Sequence, residues 1–300
     1  MLYKTHDKNS GKVLIKSKPL LIKPHQAYTR PQEGKAWFST TTTVWRVDEL
    51  IRRSVRDWRR LLGETGHTGE RTGTMRADHD SVYTGTHSVF PAPLIEWVLL
   101  RYAGNPNSTI IDAFAGGPPR AVVSALMGYK YTGVEIRQAQ INENLTVLCD
   151  LGLIDSCKYV LADGRFLDGV ECKGGFDFAF SCPPYFDIER YSDLREDLSN
   201  MRSYGEFNAG IALSAEAHFR IVKPGAFVCW VVGNFRDKSG ELIDFCGDTI
   251  QNFREVGFIF WQEVVLTKNF ASAAKRSTNS WKGHKLVPCH EFLLVFRKPM

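Results

Sequence analysis

From Thr109 onward, segments typical of buried strands alternate with segments that have a helical spacing of apolar residues. Strands are predicted at Thr109–Phe114, Tyr131–Ile136, Cys157–Ala162, Phe176–Ser181 and Ala226–Val232, and near Phe258–Leu266 and Glu291–Arg297. Helices are predicted at Arg120–Gly128, Tyr204–Ile221 and Leu242–Glu255, and from Gln138 to near Leu151. Strands joined by connections of helix length pair in parallel and are covered by helices on both faces. The last two strands have no helix between them, so we expect a mostly parallel, seven-stranded α/β sheet with one antiparallel strand near its edge.

The N-terminal part of the chain has a different character. Residues 1–85 contain 16 Lys and Arg against 9 Asp and Glu, whereas residues 86–300 contain 22 against 24. The segment Val44–Leu62 combines helical spacing of apolar residues with six arginines and predicts a basic amphipathic helix. Gly63–Gly85 is rich in Gly and Thr and predicts a loop or flexible arm. We therefore divide the chain into a basic extension, 1–85, and an α/β domain, 86–300. The excess positive charge has two equally good explanations, a polyanionic partner or an ordinary helix exposed to solvent.

Acidic residues and glycines follow the first three predicted strands of the domain. In open parallel sheets, ligands bind beyond the carboxyl ends of the strands. Asp112 leads into Gly116-Gly117, Glu135 ends the second strand, and Asp163 follows the third. Neither GxGxxG nor the GK[ST] of a phosphate-binding loop is present, so a pyrophosphate is not the expected ligand. Glu135 is placed to accept hydrogen bonds from ribose hydroxyls and Asp163 from an adenine amine, which predicts a cofactor that carries adenosine.

The fourth predicted strand runs into Cys182-Pro183-Pro184-Tyr185. Proline cannot donate a ladder hydrogen bond, so the two prolines end the strand and stiffen the loop. A rigid loop followed by an aromatic ring can hold a flat group at the end of a strand.

The motifs DAFAGG, GVEI, ADG and SCPPY, in that order, resemble motifs one to four of S-adenosylmethionine-dependent DNA amino-methyltransferases, especially those of phages and mobile elements. The segments VKPGAFVCWVVGNFRD and CHEFLLVFRK, and Thr86–Ile95 upstream of the first motif, resemble the same enzymes. The resemblance covers about residues 86–300 and implies a Rossmann-like class I methyltransferase fold that binds S-adenosylmethionine. It implies a cofactor-binding set of Ser88, Phe90, Asp112, Phe114, Ala115, Gly116, Gly117, Glu135 and Asp163. It also implies a catalytic loop of Cys182, Pro183, Pro184 and Tyr185, in which Tyr185 stacks on a base flipped out of the duplex.

Cys182 departs from the family pattern, which has Asp, Asn or Ser at this position. A thiol is a weak hydrogen-bond acceptor, so the first acceptor is weakened, or replaced by neighbouring Ser181. We expect methylation of adenine N6 ahead of cytosine N4. Covalent attack of Cys182 on a pyrimidine ring is an alternative, although enzymes of that kind place proline before the cysteine.

Two basic segments are candidates for nucleic-acid contact. One is the predicted helix with Arg52, Arg53 and Arg56, and the other is Thr267–Pro288, which contains no acid. The second segment contributes Lys268, Lys275, Arg276, Lys282 and Lys285. Asp187–Arg202 is net acidic and is expected to form a lid over the base pocket.

The resulting expectation is a DNA methyltransferase in the cytoplasm of a bacterial or phage-infected cell, associated with the nucleoid. The seven cysteines include no CxxC pair, so no metal is predicted. The longest strongly apolar run, Phe227–Val232, is too short to cross a bilayer. A homodimer is left open. The alternatives are a catalytically weak DNA-binding protein on the same fold, or a methyltransferase that acts on RNA or on a protein amide nitrogen.

Overall fold

The computed structural model describes residues 2–6, 13–17, 44–46, 90–188, 190–267, 281 and 283–300. The first three strands are β1 (Leu2–His6), β2 (Val13–Ser17) and β3 (Val44–Arg46). The next five are β4 (Thr109–Asp112), β5 (Lys130–Glu135), β6 (Cys157–Leu161), β7 (Phe176–Ser181) and β8 (Val222–Val232). The last four are β9 (Phe235–Arg236), β10 (Leu242–Ile243), β11 (Ile259–Thr267) and β12 (His290–Arg297). The α-helices are α1 (Ala92–Tyr102), α2 (Pro119–Leu126), α3 (Gln138–Asp150), α4 (Tyr204–Ile221) and α5 (Phe245–Glu255). Short 3-10 turns are formed by Ile154–Ser156, Phe186–Ile188 and Leu198–Asn200.

The main sheet has the strand order β3-β11-β12-β8-β7-β4-β5-β6. Strand β12 runs antiparallel to both of its neighbours, β8 and β11, and the other pairings are parallel. The seven strands β4 to β8, β11 and β12 confirm the predicted arrangement, including the single antiparallel strand. Strand β3 adds an eighth, edge position. β1 and β2 form a separate hairpin, as do β9 and β10.

The core lies on both faces of this sheet. Along β8, Cys229 and Val231 pack in one apolar cluster, whereas Trp230 and Val232 pack in the other. This alternation is the two-residue period of a strand, and both sets are buried because helices cover both faces. Trp230 is fully buried in the second cluster, where it contacts the Phe253 ring of α5 edge to face.

The structure corrects the first residues of two predicted helices. Val44–Arg46 forms β3, which pairs in parallel with Val265–Thr267, because hydrogen bonding to a sheet edge overrides a local helical pattern. The remainder of the predicted basic helix and the predicted loop to residue 85 lie outside the described residues. Helix α5 begins at Phe245 rather than Leu242, because the Asp244 side chain accepts a hydrogen bond from the Gly247 amide and caps the helix there.

The carboxyl ends of β4 to β7 meet at one edge of the sheet. Asp112 at the end of β4 lies opposite Gly133 of β5, and Glu135 lies opposite Leu161 of β6. The residues that the sequence predicts for the site follow these strand ends.

Candidate functional site

The loop between β4 and α2 has an open position at Gly116. Its backbone φ of 50° is left-handed, and no heavy atom lies within 4 Å of where a Cβ would stand. Neighbouring elements fix this turn. The Gly116 amide donates to Glu135 Oε2 at 3.1 Å, and Asn144 Nδ2 of α3 donates to the Gly116 carbonyl at 2.7 Å. The turn therefore exposes backbone at the strand edge while its shape is held from both sides.

Asp112 lies beneath this loop rather than in the cleft. Its side chain is 0% exposed. Oδ1 accepts from Ser181 Oγ at 2.9 Å and from the Phe114 amide at 3.2 Å. Oδ2 accepts from Arg120 Nε at 2.5 Å and from the Tyr131 hydroxyl at 2.7 Å. Because the carboxylate is fully buried and accepts these four hydrogen bonds, Asp112 holds the loop in shape from beneath.

Arg120 is the buried cation that pairs with Asp112. Besides this pair, its Nη2 donates to the carbonyls of Phe114 at 2.5 Å and Ala115 at 3.0 Å. Its guanidinium lies 5.0 Å from the centroid of the Phe90 ring. Burial alone would lower the pKa of Arg120, but the Asp112 carboxylate more than offsets this and raises the pKa above its ordinary value. Arg120 therefore joins Phe90 to the glycine loop as a permanent cation.

Glu135 and Asp163 are the other two acids that the sequence predicts for the site. Glu135 accepts from the Arg137 amide at 3.0 Å as well as from Gly116. Burial raises the pKa of Glu135, while the charge and hydrogen bonds of Arg137 oppose the rise. Asp163 is paired with Arg165, whose Nη2 lies 2.6 Å from Asp163 Oδ2, and its side chain is 20% exposed.

Gly164 brings the loop after β6 against the loop after β4. A Cβ at Gly164 would lie 2.2 Å from the Ala113 carbonyl oxygen and 2.8 Å from the Phe114 ring. The Gly164 carbonyl accepts from Ser214 Oγ of α4 at 2.9 Å. The two loops can therefore touch only because residue 164 has no side chain.

A cavity of about 160 Å³ opens beside these loops. It is lined by Ile136, Leu161, Ala162, Asp163, Leu194 and Glu196. Leu161 and Leu194 are 54% and 41% exposed, so the structure leaves apolar surface open there. The sequence predicts that the acidic segment Asp187–Arg202 covers the base pocket near Tyr185. In the structure, Leu194 and Glu196 of this segment also line the cavity at the ends of β5 and β6.

The segment around Leu194 is held in shape by its own hydrogen bonds. Asp197 accepts from Ser192 Oγ at 2.7 Å and from Ser199 Oγ at 2.8 Å, and Asn200 Nδ2 donates to the Ser192 carbonyl at 2.8 Å. The wall of the cavity is thus preformed.

Cys182, Pro183, Pro184 and Tyr185 follow β7 at the same edge. Pro183 is buried and the other three are half-buried. The Tyr185 ring meets the rings of Phe235 and Phe245 edge to face, at centroid distances of 6.3 and 6.1 Å. Its hydroxyl is 3.5 Å from Glu291 Oε1. Burial, followed by the charge of Glu291, raises the pKa of Tyr185 well above its ordinary value, so this hydroxyl remains neutral and a donor.

Ser181 is not available as a substitute acceptor for Cys182. It is 0% exposed, and its Oγ both donates to Asp112 and accepts from the Ala113 amide at 2.8 Å. The suggestion that Ser181 replaces the first acceptor is therefore wrong.

The structure brings Phe90, Asp112, Phe114, Ala115, Gly116, Gly117, Glu135, Asp163 and the Cys182–Tyr185 loop to one edge. The other predicted site residues, apart from Lys285, lie outside the described residues. They are Ser88, Arg52, Arg53, Arg56, Lys268, Lys275, Arg276 and Lys282. Of the predicted nucleic-acid contacts only Lys285 is described, and it is half-buried with Nζ near Gly240.

Sequence reasoning missed Arg120, Tyr131 and Glu291, and it gave Ser181 the role of an acceptor for the substrate rather than a contact with Asp112 and Ala113. Their roles depend on contacts between distant segments, and the one signal in the sequence is an arginine that opens the otherwise apolar helix α2.

No group of three or more His, Cys, Asp or Glu side chains that could hold a metal ion occurs in the described part of the chain. Among the described helices, none has both the length and the apolar character needed to cross a membrane. A larger cavity, of about 490 Å³, lies at the start of β7 and the end of α4, away from the predicted site.

Comparison with solved structures identifies the fold. The [4+2]-cyclase SpnF has a TM-score of 0.50 and 15% sequence identity, over 80% of this chain and 93% of that protein. Geranyl diphosphate methyltransferase, solved in complex with GPP and sinefungin, has a TM-score of 0.50 and 15% identity, over 69% and 79%. TrmN from Thermus thermophilus has a TM-score of 0.47 and 12% identity, and this chain spans 49% of its length. No protein-family model and no curated protein sequence matches the chain.

The fold is thus the Rossmann-like fold of class I methyltransferases, with a seven-stranded arrangement extended by β3. Because this likeness includes a cyclase, and sequence identity is low, the reaction must be argued from the site.

Proposed function

We propose that this protein transfers a methyl group from S-adenosylmethionine to the exocyclic amine of a flipped base in DNA, with adenine N6 favoured over cytosine N4. The observation that carries the proposal is the convergence of four strand-end features at one edge of this fold. These are the open glycine turn, Glu135, Asp163 with its cavity, and the Cys182–Tyr185 loop. They occur in the order in which the motifs of amino-methyltransferases occur.

The cofactor half fits S-adenosylmethionine. The open space above Gly116 allows a ligand to approach the backbone, and Glu135 lies at that turn as an acceptor for ribose hydroxyls. The cavity is lined by apolar side chains and by the carboxylates of Asp163 and Glu196, which suits a flat ring with an amine. When bound, S-adenosylmethionine supplies an electrophilic methyl group on a sulfonium sulfur.

The substrate half must hold the amine nitrogen in line with that methyl group. Pro183 and Pro184 restrict the loop backbone, and Tyr185 is braced by two aromatic rings and by its hydrogen bond to Glu291. A ring held this firmly can stack a base at low entropic cost. Cys182 is a weak acceptor. Catalysis therefore depends more on holding the base in place than on a hydrogen bond from Cys182 to the amine.

DNA as the partner is supported by the charge of the sequence and by connectivity. Strands β3 and β11 end side by side, with Arg46 opposite Thr267. Each is followed in the sequence by one of the two basic segments, so both leave the sheet at neighbouring points. We propose that residues 1–85 and the segment after Thr267 contribute the phosphate contacts.

The test is incubation of the purified protein with labelled S-adenosylmethionine and, separately, with unmodified DNA, RNA of the same sequence, or a protein mixture. We expect label in DNA. Tyr185→Ala should lose transfer while its affinity for the cofactor, measured by calorimetry, stays within about threefold of wild type, because stacking belongs to the substrate half. Label in RNA or protein alone would contradict the DNA assignment, and full activity of Tyr185→Ala would contradict the role of the loop.

A further inference from the structure

Strands β4 and β7 carry the two halves of the site, yet the backbone ladder between them is short. Only Ile110 with Phe178 and Ile111 with Ala179 are paired in register. Beyond these two pairs, side chains continue the connection at both ends of the strand pair.

At the start of the strands, a threonine and a carboxylate make this connection. Thr109 donates to Asp177 Oδ2 from its amide at 2.8 Å and from its hydroxyl at 2.9 Å, and its hydroxyl accepts from the Asp177 amide at 3.2 Å. This end is partly exposed and lies away from the candidate site.

At the carboxyl ends, a serine and a carboxylate make the matching connection. Ser181 Oγ accepts from the Ala113 amide at 2.8 Å and donates to Asp112 Oδ1 at 2.9 Å. Ala113 begins the glycine loop, and Ser181 is the residue immediately before Cys182. One buried hydroxyl therefore stands between the first residue of the cofactor loop and the first residue of the substrate loop.

We infer that Ser181 is a positioning residue that fixes the Cys182–Tyr185 loop relative to the glycine loop. The inference rests on the proposed function for the identity of the two ligands. The Asp112 carboxylate that receives the Ser181 hydrogen bond is itself held by Arg120 and Tyr131, so the serine is bonded to a fixed group. A hydrogen bond to a fixed carboxylate restricts where Ser181 can lie, whereas a bond to a mobile side chain would not.

Loss of the Ser181 hydroxyl should therefore disturb the alignment of the two loops more than it weakens the binding of either ligand. Displacements of about 1 Å between reacting groups can lower a rate about 100-fold. Loss of the hydroxyl leaves both loops in place but removes the bond that sets their separation.

The experiment compares Ser181→Ala with Thr109→Val, which removes the matching hydroxyl at the opposite end of the same strand pair. Hydrogen exchange in the unliganded protein is followed by mass spectrometry in peptides that cover residues 112–118 and 182–188. We expect Ser181→Ala to accelerate exchange in both peptides by roughly tenfold, and Thr109→Val to leave them unchanged. Ser181→Cys, which fills the same space with a weak donor and acceptor, should behave like Ser181→Ala.

The kinetic readout compares two quantities. One is kcat at saturating DNA and cofactor, and the other is the KM of each, obtained by varying its concentration. Ser181→Ala should lower kcat by about 10- to 100-fold with a smaller change in either KM, and Thr109→Val should leave kcat at the wild-type value. Unchanged exchange in the two peptides of Ser181→Ala, or equal effects of both variants, would overturn the inference. If the wild type transfers no methyl group, the proposed function fails, and the exchange comparison still decides the role of Ser181.

Discussion

Replacing Gly164 by alanine is expected to push apart the two loops that form the cofactor half of the site. The added Cβ would stand 2.2 Å from the Ala113 carbonyl oxygen, against 3.4 Å for the start of ordinary contact, and 2.8 Å from the Phe114 ring. The nearest atom is backbone, so no side-chain rotation can relieve the contact. The Ala113 amide is also bonded to Ser181, which resists displacement of the loop.

The expected cost follows from overpacking in a buried, well-filled region, which is typically about 1–3 kcal/mol. Gly164→Ala should therefore unfold at lower urea concentration and, under the proposed function, bind S-adenosylmethionine about tenfold more weakly, because a loop proposed to contact the cofactor would be displaced. Urea unfolding monitored by circular dichroism and calorimetry of cofactor binding provide the two measurements.

Gly205→Ala is the matched control. Gly205 lies in the first turn of α4, and its Cβ would meet its nearest neighbour, Ser203 Oγ, at an ordinary 3.8 Å. Alanine is the better helix former by about 1 kcal/mol, so this variant should be as stable as wild type or more so. Wild-type stability and cofactor affinity in Gly164→Ala would refute the close approach of the two loops.

Two further predictions concern buried charge. Burial lowers the pKa of His218 from 6.5 to about 4, only partly opposed by its bond to the Ser214 carbonyl, so the folded protein favours the neutral ring. The stability contributed by this group is complete above pH 6.5 and is lost as the pH falls through about 4, by up to about 3 kcal/mol. In urea unfolding at pH 7 and 4.5, His218→Phe should show less of this loss than wild type, and an unchanged loss would contradict the assignment. Arg120→Met should cost about 3–5 kcal/mol, because it leaves the Asp112 carboxylate buried without its cation. The double variant Asp112→Asn/Arg120→Met should recover part of that loss in the same assay, and additive losses would argue against a paired role.

The order of elements in the domain could be predicted from the sequence. The two signals used, apolar strand segments and glycines at the ends of elements, are both local. A parallel sheet covered on both faces requires apolar strands such as β7 and β8, and Gly128 and Gly257, which follow helices α2 and α5, lie where left-handed backbone is needed. The site residues that directly follow strands, Glu135, Asp163 and Cys182, were found for the same reason.

What the sequence could not provide were contacts between distant segments. Asp112 was assigned to the cofactor set from the resemblance, but its hydrogen bonds to Arg120, Tyr131 and Ser181 could not be predicted, because these residues belong to three different elements. The strand at Val44–Arg46 was interpreted as part of a helix because its pairing partner, Val265–Thr267, is over two hundred residues away. The Tyr185–Glu291 hydrogen bond joins residues 106 positions apart.

Cys182→Ser tests the central claim most directly. If Cys182 occupies the acceptor position of an amine-methylating site, serine keeps the shape and is a better acceptor. If Cys182 is instead a nucleophile on a pyrimidine ring, serine is a far weaker one without a base of its own. The measurement is labelled methyl transfer to unmodified DNA by wild type and variant, followed by digestion and identification of the nucleoside. The account predicts an amino-methylated base, favouring N6-methyladenine, from both proteins, with the variant at least as active. An inactive serine variant, together with a covalent adduct between wild type and DNA or a ring-methylated base, would contradict it.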